Sequence, residues 1–94
     1  MSPALMSLYS RHGEAFFDYL EYRRAQEAFA AWLAAQRATP SDRERITKFL
    51  DQLQTAWDLG DDMTSREADI RFHSAIVDAS HNATLIHMMG AIYD

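Results

Sequence analysis

The spacing of apolar residues along the chain predicts an all-helical protein. Ser2 and Pro3 are typical of a helix start, and Gly13 is expected to end the short helix that follows. From Glu14 to about Ala38 apolar residues recur at helical spacing on two sides and the chain has almost no helix breaker. A helix that is apolar on two sides is expected to lie centrally in a fold.

A second boundary follows at Thr39-Pro40, where a capping residue and a proline are typical of a new helix. That helix is predicted to run to about Leu59, with Gly60 after its end. Its apolar residues form one stripe and its other face is polar, which predicts an outer helix.

The remaining pattern predicts two more helices. A polar turn is expected over residues 61–65, followed by a helix over about 64–79. Asn82 is expected to cap a last helix. Helices joined by such short connections predict an antiparallel helical bundle.

The amino-acid composition excludes several kinds of site and function. The chain has 94 residues, no cysteine and a formal net charge of −5. It is therefore expected to form one small domain without disulfides or thiolate zinc sites, and it is a poor candidate for binding a phosphate backbone directly. No apolar run is long enough to cross a membrane, and we expect a cytoplasmic protein without a membrane partner.

Asp69 and His73 are the first candidate site. They lie four residues apart on the fourth helix, between its two apolar sides and away from its polar face. In one interpretation they are structural and hydrogen-bond each other or a neighbouring helix; in the other they are two ligands of a divalent metal ion. Two ligands leave a site incomplete, and His81 and His87 have no spacing that specifies a ligand, so each is expected at the surface or an interface.

Arg23 and Glu27 are the second candidate. Their spacing of four residues is typical of an intrahelical ion pair. Alternatively, Arg23 faces a cavity and binds a ligand carboxylate through two hydrogen bonds. Spacing does not choose between these interpretations.

Four motifs together resemble a known family. They are E-x-R-x-x-x-E at residues 21–27, A-x-R-A-T at 35–39, D-x-x-F-H at 69–73 and S-x-N-x-x-L at 80–85. In this order they resemble the FCD ligand-binding domain, which forms the C-terminal half of FadR-type GntR transcriptional regulators. The resemblance covers the chain from about Glu14 onward.

The resemblance implies a site and its ligands. Asp69 and His73 would be the first half of a site for zinc, nickel or manganese, which two histidines of later helices complete. A small organic acid would bind near the metal, with Arg23 as its partner. No catalysis is implied, so the protein is expected not to be an enzyme.

The resemblance also implies a truncated FCD-like domain. Residues 1–13 would be a connecting helix or linker remnant, and residues 14–94 the N-terminal part of the domain, with the winged helix-turn-helix and the later helices absent. DNA would be contacted only through that missing winged helix-turn-helix domain.

Apolar stripes without partner helices predict a homo-oligomer, with a dimer expected. The side chains expected to be exposed are Phe29, Trp32, Met88 and Met89. The alternative function is a plain helical oligomerisation or interaction module, in which Asp69 and His73 are buried structural polar groups.

Overall fold

A computed structural model describes residues 2–93, and this part of the chain is made of helices joined by short connections. The helices are α1 (Pro3–Arg11), α2 (Glu14–Arg37), α3 (Pro40–Asp58), α4 (Asp62–Ala79) and α5 (Ala83–Tyr93). The predicted all-helical fold is confirmed. No helix within residues 2–93 is both long and apolar enough to cross a membrane.

The first and third helices begin at the residues that the sequence indicated. The backbone N–H of Leu5 donates to Ser2 Oγ at 3.3 Å. At the start of α3, Asp42 N–H donates to Thr39 Oγ1 at 3.1 Å, and Thr39 N–H donates to Asp42 Oδ2 at 2.9 Å. This reciprocal pair satisfies two N–H groups that a helix start otherwise leaves without partners.

The end of α3 also follows from local sequence. Gly60 adopts a left-handed φ of 70°, which costs a residue without a side chain little. Its N–H donates to the Trp57 carbonyl at 3.0 Å, and the Asp61 N–H donates to the Ala56 carbonyl at 3.2 Å. This pair of hydrogen bonds is the Schellman arrangement, which closes a helix and reverses the chain direction.

The predicted polar turn over residues 61–65 is wrong, because α4 already begins at Asp62. Asp61 accepts a hydrogen bond from the Thr64 N–H at 3.0 Å and therefore caps the helix. One aspartate thus ends the turn after α3 and starts α4, which leaves no room for a longer loop.

The fourth helix lies at the centre of the arrangement. It packs against α2, α3 and α5, whereas α1 and α5 also pack against α2. Alanines at positions 30, 68, 75 and 79 are buried almost completely, and such small side chains allow neighbouring helix backbones to approach closely. The core cluster contains Tyr19, Ala30, Leu33, Val77, Leu85, Met89 and Ile92.

The molecule is flat. Its principal extents are 43 × 34 × 18 Å, and the shortest is less than twice the diameter of about 10–12 Å of a helix with its side chains. Phe29, Trp32 and Met88 are exposed as predicted, at 44%, 62% and 51% of their surface. Met89 was expected to be exposed but is fully buried, because Leu85, Met89 and Ile92 share the inward face of α5.

Candidate metal and effector site

Asp69 and His73 lie one helical turn apart on α4. Asp69 Oδ1 and His73 Nε2 are 3.2 Å apart, and the side chains retain 44% and 29% of their exposure. Both are thus half-buried at the edge of a helix junction, where solvent and ions can still reach them. The sequence predicted their common face but placed them further inside the protein.

A second carboxylate faces the same imidazole from α2. Glu27 Oε2 lies 3.2 Å from His73 Nδ1, so the ring stands between Glu27 on one side and Asp69 on the other. A neutral imidazole has one N–H and can donate to only one of these carboxylates. The other ring nitrogen then presents a lone pair, which is what a metal ion requires of histidine.

Glu27 is held by two further groups. Arg23 Nε donates to Glu27 Oε1, so the two residues form the intrahelical ion pair that was one of the two interpretations of their spacing. The Tyr93 hydroxyl, on α5, donates to the same oxygen at 3.0 Å, and the Arg23 guanidinium lies over the Tyr93 ring at 5.6 Å from its centroid. Three helices therefore meet at one glutamate.

Burial and charge act together on this cluster. Burial, followed by the negative charge of Glu27 and the hydrogen bond to it, raises the pKa of Tyr93 above its ordinary value. Burial, the largest single influence, acts to lower the pKa of Arg23, but hydrogen bonding to Glu27 and Tyr19 and the charges of these two residues together outweigh it, so the pKa lies above its ordinary value. At neutral pH Tyr93 is thus a neutral donor and Arg23 a fixed positive charge.

The donor pair fits part of a metal site. Two ligands at about 2.0–2.2 Å from a zinc ion lie about 2.8–3.6 Å from each other when the angle between their bonds is between about 90° and the tetrahedral 109°. The 3.2 Å between Asp69 Oδ1 and His73 Nε2 falls in this range. Within residues 2–93 no three histidine or acidic side chains are placed to hold one ion, so the set is two donors.

Two of the other three histidines, His81 and His87, lie away from this cluster. His81 Nε2 is 2.6 Å from Asp42 Oδ2, between the end of α4 and the start of α3. His87 is exposed on α5. Both fit the expectation of surface histidines.

Two clefts border the donor pair. A cleft of about 740 Å³ between α3 and α4 has Asp69 on its wall, together with Arg66 and the apolar side chains of Leu50, Leu53 and Trp57. A smaller cleft of about 250 Å³ between α2 and α4 is bordered by Glu27 and His73. Asp69 therefore opens onto the larger space.

Sequence reasoning missed two residues of this cluster. Glu27 was recognised only as the partner of Arg23, and Tyr93 was not recognised at all. A glutamate and an arginine four apart on an otherwise small-residue stripe of α2 were the available signal for Glu27. No sequence signal connects Tyr93 to residues 66 positions earlier.

Comparison with known proteins identifies the family. The FCD domain matches residues 18–94. Over 79 residues the chain is 47% identical to an L-lactate dehydrogenase operon regulatory protein of Escherichia coli (strain K12), covering 83% of the chain and 29% of that protein. Over 73 residues it is 37% identical to the HTH-type transcriptional regulator LutR of Bacillus subtilis (strain 168), covering 78% of the chain and 32% of that protein.

A third relative aligns over more of the chain. The Glc operon transcriptional activator of Escherichia coli (strain K12) is 30% identical over 93 residues, which cover 96% of the chain and 37% of the activator. The chain thus spans about a third of the length of the curated relatives it matches. All three relatives are named as regulators, in agreement with the expectation that this domain is not an enzyme. The chain belongs to the FCD domain family of GntR-type transcriptional regulators.

Proposed function

We propose that the chain is the effector-sensing and dimerisation domain of a FadR-type transcriptional regulator, which binds a small organic acid near a divalent metal ion. Asp69 and His73 would hold that ion, with further ligands from outside this chain. The observation that carries the proposal is the 3.2 Å separation of Asp69 Oδ1 and His73 Nε2 on a half-buried face of α4. Zinc, nickel and manganese all accept this pair of donors.

Each residue has a defined part in ligand binding. A bound cation would supply positive charge and an open coordination position for the carboxylate of the acid. Arg23 is the candidate protein partner of that carboxylate. Its Nε already donates to Glu27, so its two Nη groups are the donors for a ligand.

The acid would act by changing the relation between domains. A ligand shifts an equilibrium between two arrangements only if it binds them with different affinity. Here the two arrangements would differ in how winged helix-turn-helix domains of the two protomers face DNA. Such a regulator would work in the cytoplasm.

L-Lactate is the first acid to test, since one relative is named for an L-lactate dehydrogenase operon. The experiment is calorimetry with zinc, nickel and manganese, then with L-lactate, on the complete natural protein that contains this chain. Asp69→Ala is compared with Glu67→Ala, which removes an exposed carboxylate from the same helix. The proposal expects the Asp69 variant to lose metal and acid binding and the Glu67 variant to keep both.

Equal metal binding in the two variants would contradict the site. Metal binding without any effect of L-lactate or related small acids would contradict the effector part only. Arg23→Lys then examines the second contact, because lysine keeps the charge but not the paired N–H groups.

A plain oligomerisation module is the second candidate function. Exposed large apolar side chains favour it, including Phe29 and Trp32, whose rings stack at 6.3 Å between centroids on one face of α2. Exposed apolar surface of this kind favours association, and a dimer is expected. A monomer in sedimentation velocity would contradict the dimer, and a dimer that binds neither metal nor acid would favour the plain module.

A further inference from the structure

Two carboxylates face His73, and they cannot both bind an ion that is bound to one nitrogen of its ring. The two nitrogens of an imidazole ring point in diverging directions, with Glu27 at Nδ1 and Asp69 at Nε2. A cation bound to this histidine therefore lies either at Nδ1 with Glu27 or at Nε2 with Asp69. The surroundings of the two carboxylates differ enough to decide which.

We propose that Glu27 is a positioning residue, which accepts the Nδ1–H of His73 and so directs the Nε2 lone pair toward a cation shared with Asp69. This assignment rests on the metal site proposed above and goes beyond it. In this assignment Asp69 is a metal ligand, and Glu27 orients the His73 ring.

The charge around Glu27 excludes it as the ligand. Its Oε1 already accepts from Arg23 and from Tyr93. A cation at Oε2 would lie close to the Arg23 guanidinium, and like charges at short distance repel strongly in a half-buried place. Glu27 also lies on the narrower cleft of about 250 Å³.

The position of Asp69 suits a ligand. Its side chain is 44% exposed and lies on the wall of the cleft of about 740 Å³, which leaves space for further ligands. It shares α4 with His73, so the helix backbone sets the distance between the two donors.

A hydrogen bond across the 3.2 Å between His73 Nδ1 and Glu27 Oε2 would give Glu27 a physical effect on metal affinity. An imidazole that donates from one nitrogen to a carboxylate is held in one tautomer and one rotation, and its other nitrogen becomes a better donor to metal. Arg23 and Tyr93 extend this effect by holding the glutamate. The network from α5 through α2 to α4 thus orients one lone pair.

The first experiment compares Glu27→Gln with Glu21→Gln in the complete natural protein, using zinc alone as the probe in calorimetry. Glutamine keeps the length of the side chain but lacks the charge that strengthens the bond to Nδ1–H. We expect zinc affinity to fall about 10- to 100-fold for the Glu27 variant. The Glu21 variant, which changes an exposed residue of the same helix, should stay within about 2-fold of the natural protein.

The second experiment needs no variant, so it holds even if Glu27→Gln does not fold. Nitrogen-15 spectra of histidine-labelled, zinc-loaded protein show which ring nitrogen carries hydrogen. The proposal expects His73 to carry hydrogen on Nδ1 and zinc on Nε2. Zinc on Nδ1 would overturn it.

The outcomes separate this role from the metal site itself. If Asp69→Ala abolishes zinc binding while Glu27→Gln binds as the natural protein does, the role of Glu27 is overturned and the site stands. If the natural protein binds none of zinc, nickel and manganese, the site and the role both fall. Weaker zinc binding in Glu27→Gln but not in Glu21→Gln, together with zinc on Nε2 in the natural protein, supports the role.

Discussion

His73 and His81 each contact an aspartate, but the two pairs have different surroundings. The His73 side chain is 29% exposed and stands between carboxylates of α2 and α4, while His81 is 48% exposed and lies beyond the end of α4. The partner of His73, Asp69, opens onto a cleft. The partner of His81, Asp42, already accepts the Thr39 N–H in the cap of α3.

The difference shows that a histidine–aspartate contact does not by itself make a ligand site. A metal ion at His81 would have to displace Asp42, which takes part in the N-terminal cap of α3. At His73 a second carboxylate lies 3.2 Å from the other ring nitrogen and is itself paired with Arg23, so in our proposal Asp69 and Nε2 remain available to a cation. In our proposal, donors that remain available beside a cleft distinguish the His73 pair from the structural contact of His81.

The largest expected contrast is in metal affinity. In the complete natural protein, His73→Ala should weaken zinc binding by about 100-fold or more, because a ligand is lost. His81→Ala should change it less than about 2-fold. Calorimetry measures both, and equal losses would show that the two pairs do not differ in this way.

The next contrast is in stability and concerns the arginines near each histidine. Arg23→Met leaves the half-buried Glu27 without its positive partner and should cost about 1–3 kcal/mol of unfolding free energy. Arg45→Met removes a more exposed ion pair with Asp78, at 2.7 Å and with 47% and 38% exposure, and should cost about 0–1 kcal/mol. Urea unfolding measures the two values, and a larger cost for Arg45 would reverse the comparison.

The glycine and alanine variants of His81 and of His73 should rank in opposite order of stability. His81 has a left-handed φ of 51°, so His81→Gly should be about 1 kcal/mol more stable than His81→Ala. His73 lies inside α4, so His73→Gly should be about 1 kcal/mol less stable than His73→Ala. Thermal unfolding of the four variants measures both differences, and the same order at both positions would contradict the assigned backbone of His81.

The smallest effect concerns pH. The Thr39 N–H, followed by the His81 side chain, holds the pKa of Asp42 below its ordinary value of 3.8. A lowered pKa in the folded state stabilises the protein above the ordinary pKa, and this contribution is lost as the pH falls through the lowered value. Asp42→Asn should therefore lower stability at neutral pH and reduce its decline below about pH 4.

Unfolding measured from pH 7 to pH 2 compares the natural protein with that variant. Asp51→Asn, an exposed aspartate further along α3, is the matched control and should leave the pH profile unchanged. Identical profiles for the Asp42 variant and the natural protein would show that the cap contributes nothing to acid sensitivity.

Local signals in the sequence determined the helices and most of their ends. Ser2, Thr39, Gly60 and Asn82 act through hydrogen bonds or dihedral angles within a few residues, so their effect can be derived without the fold. The same holds for the four-residue spacings of Asp69 with His73 and of Arg23 with Glu27, which α-helix geometry converts directly into contacts. The start of α4 was placed two residues late, because Asp61 serves both the turn and the cap.

Only the tertiary structure decided which of these pairs meet. Glu27 reaches His73 across 46 residues of sequence, and Tyr93 reaches Glu27 across 66, because α2, α4 and α5 pack with particular rotations about their axes. Those rotations depend on how closely the alanines of the core let the helices approach, which helical periodicity does not specify. The sequence by itself therefore determined the helices and the donor pair, whereas packing decided that a second carboxylate faces His73.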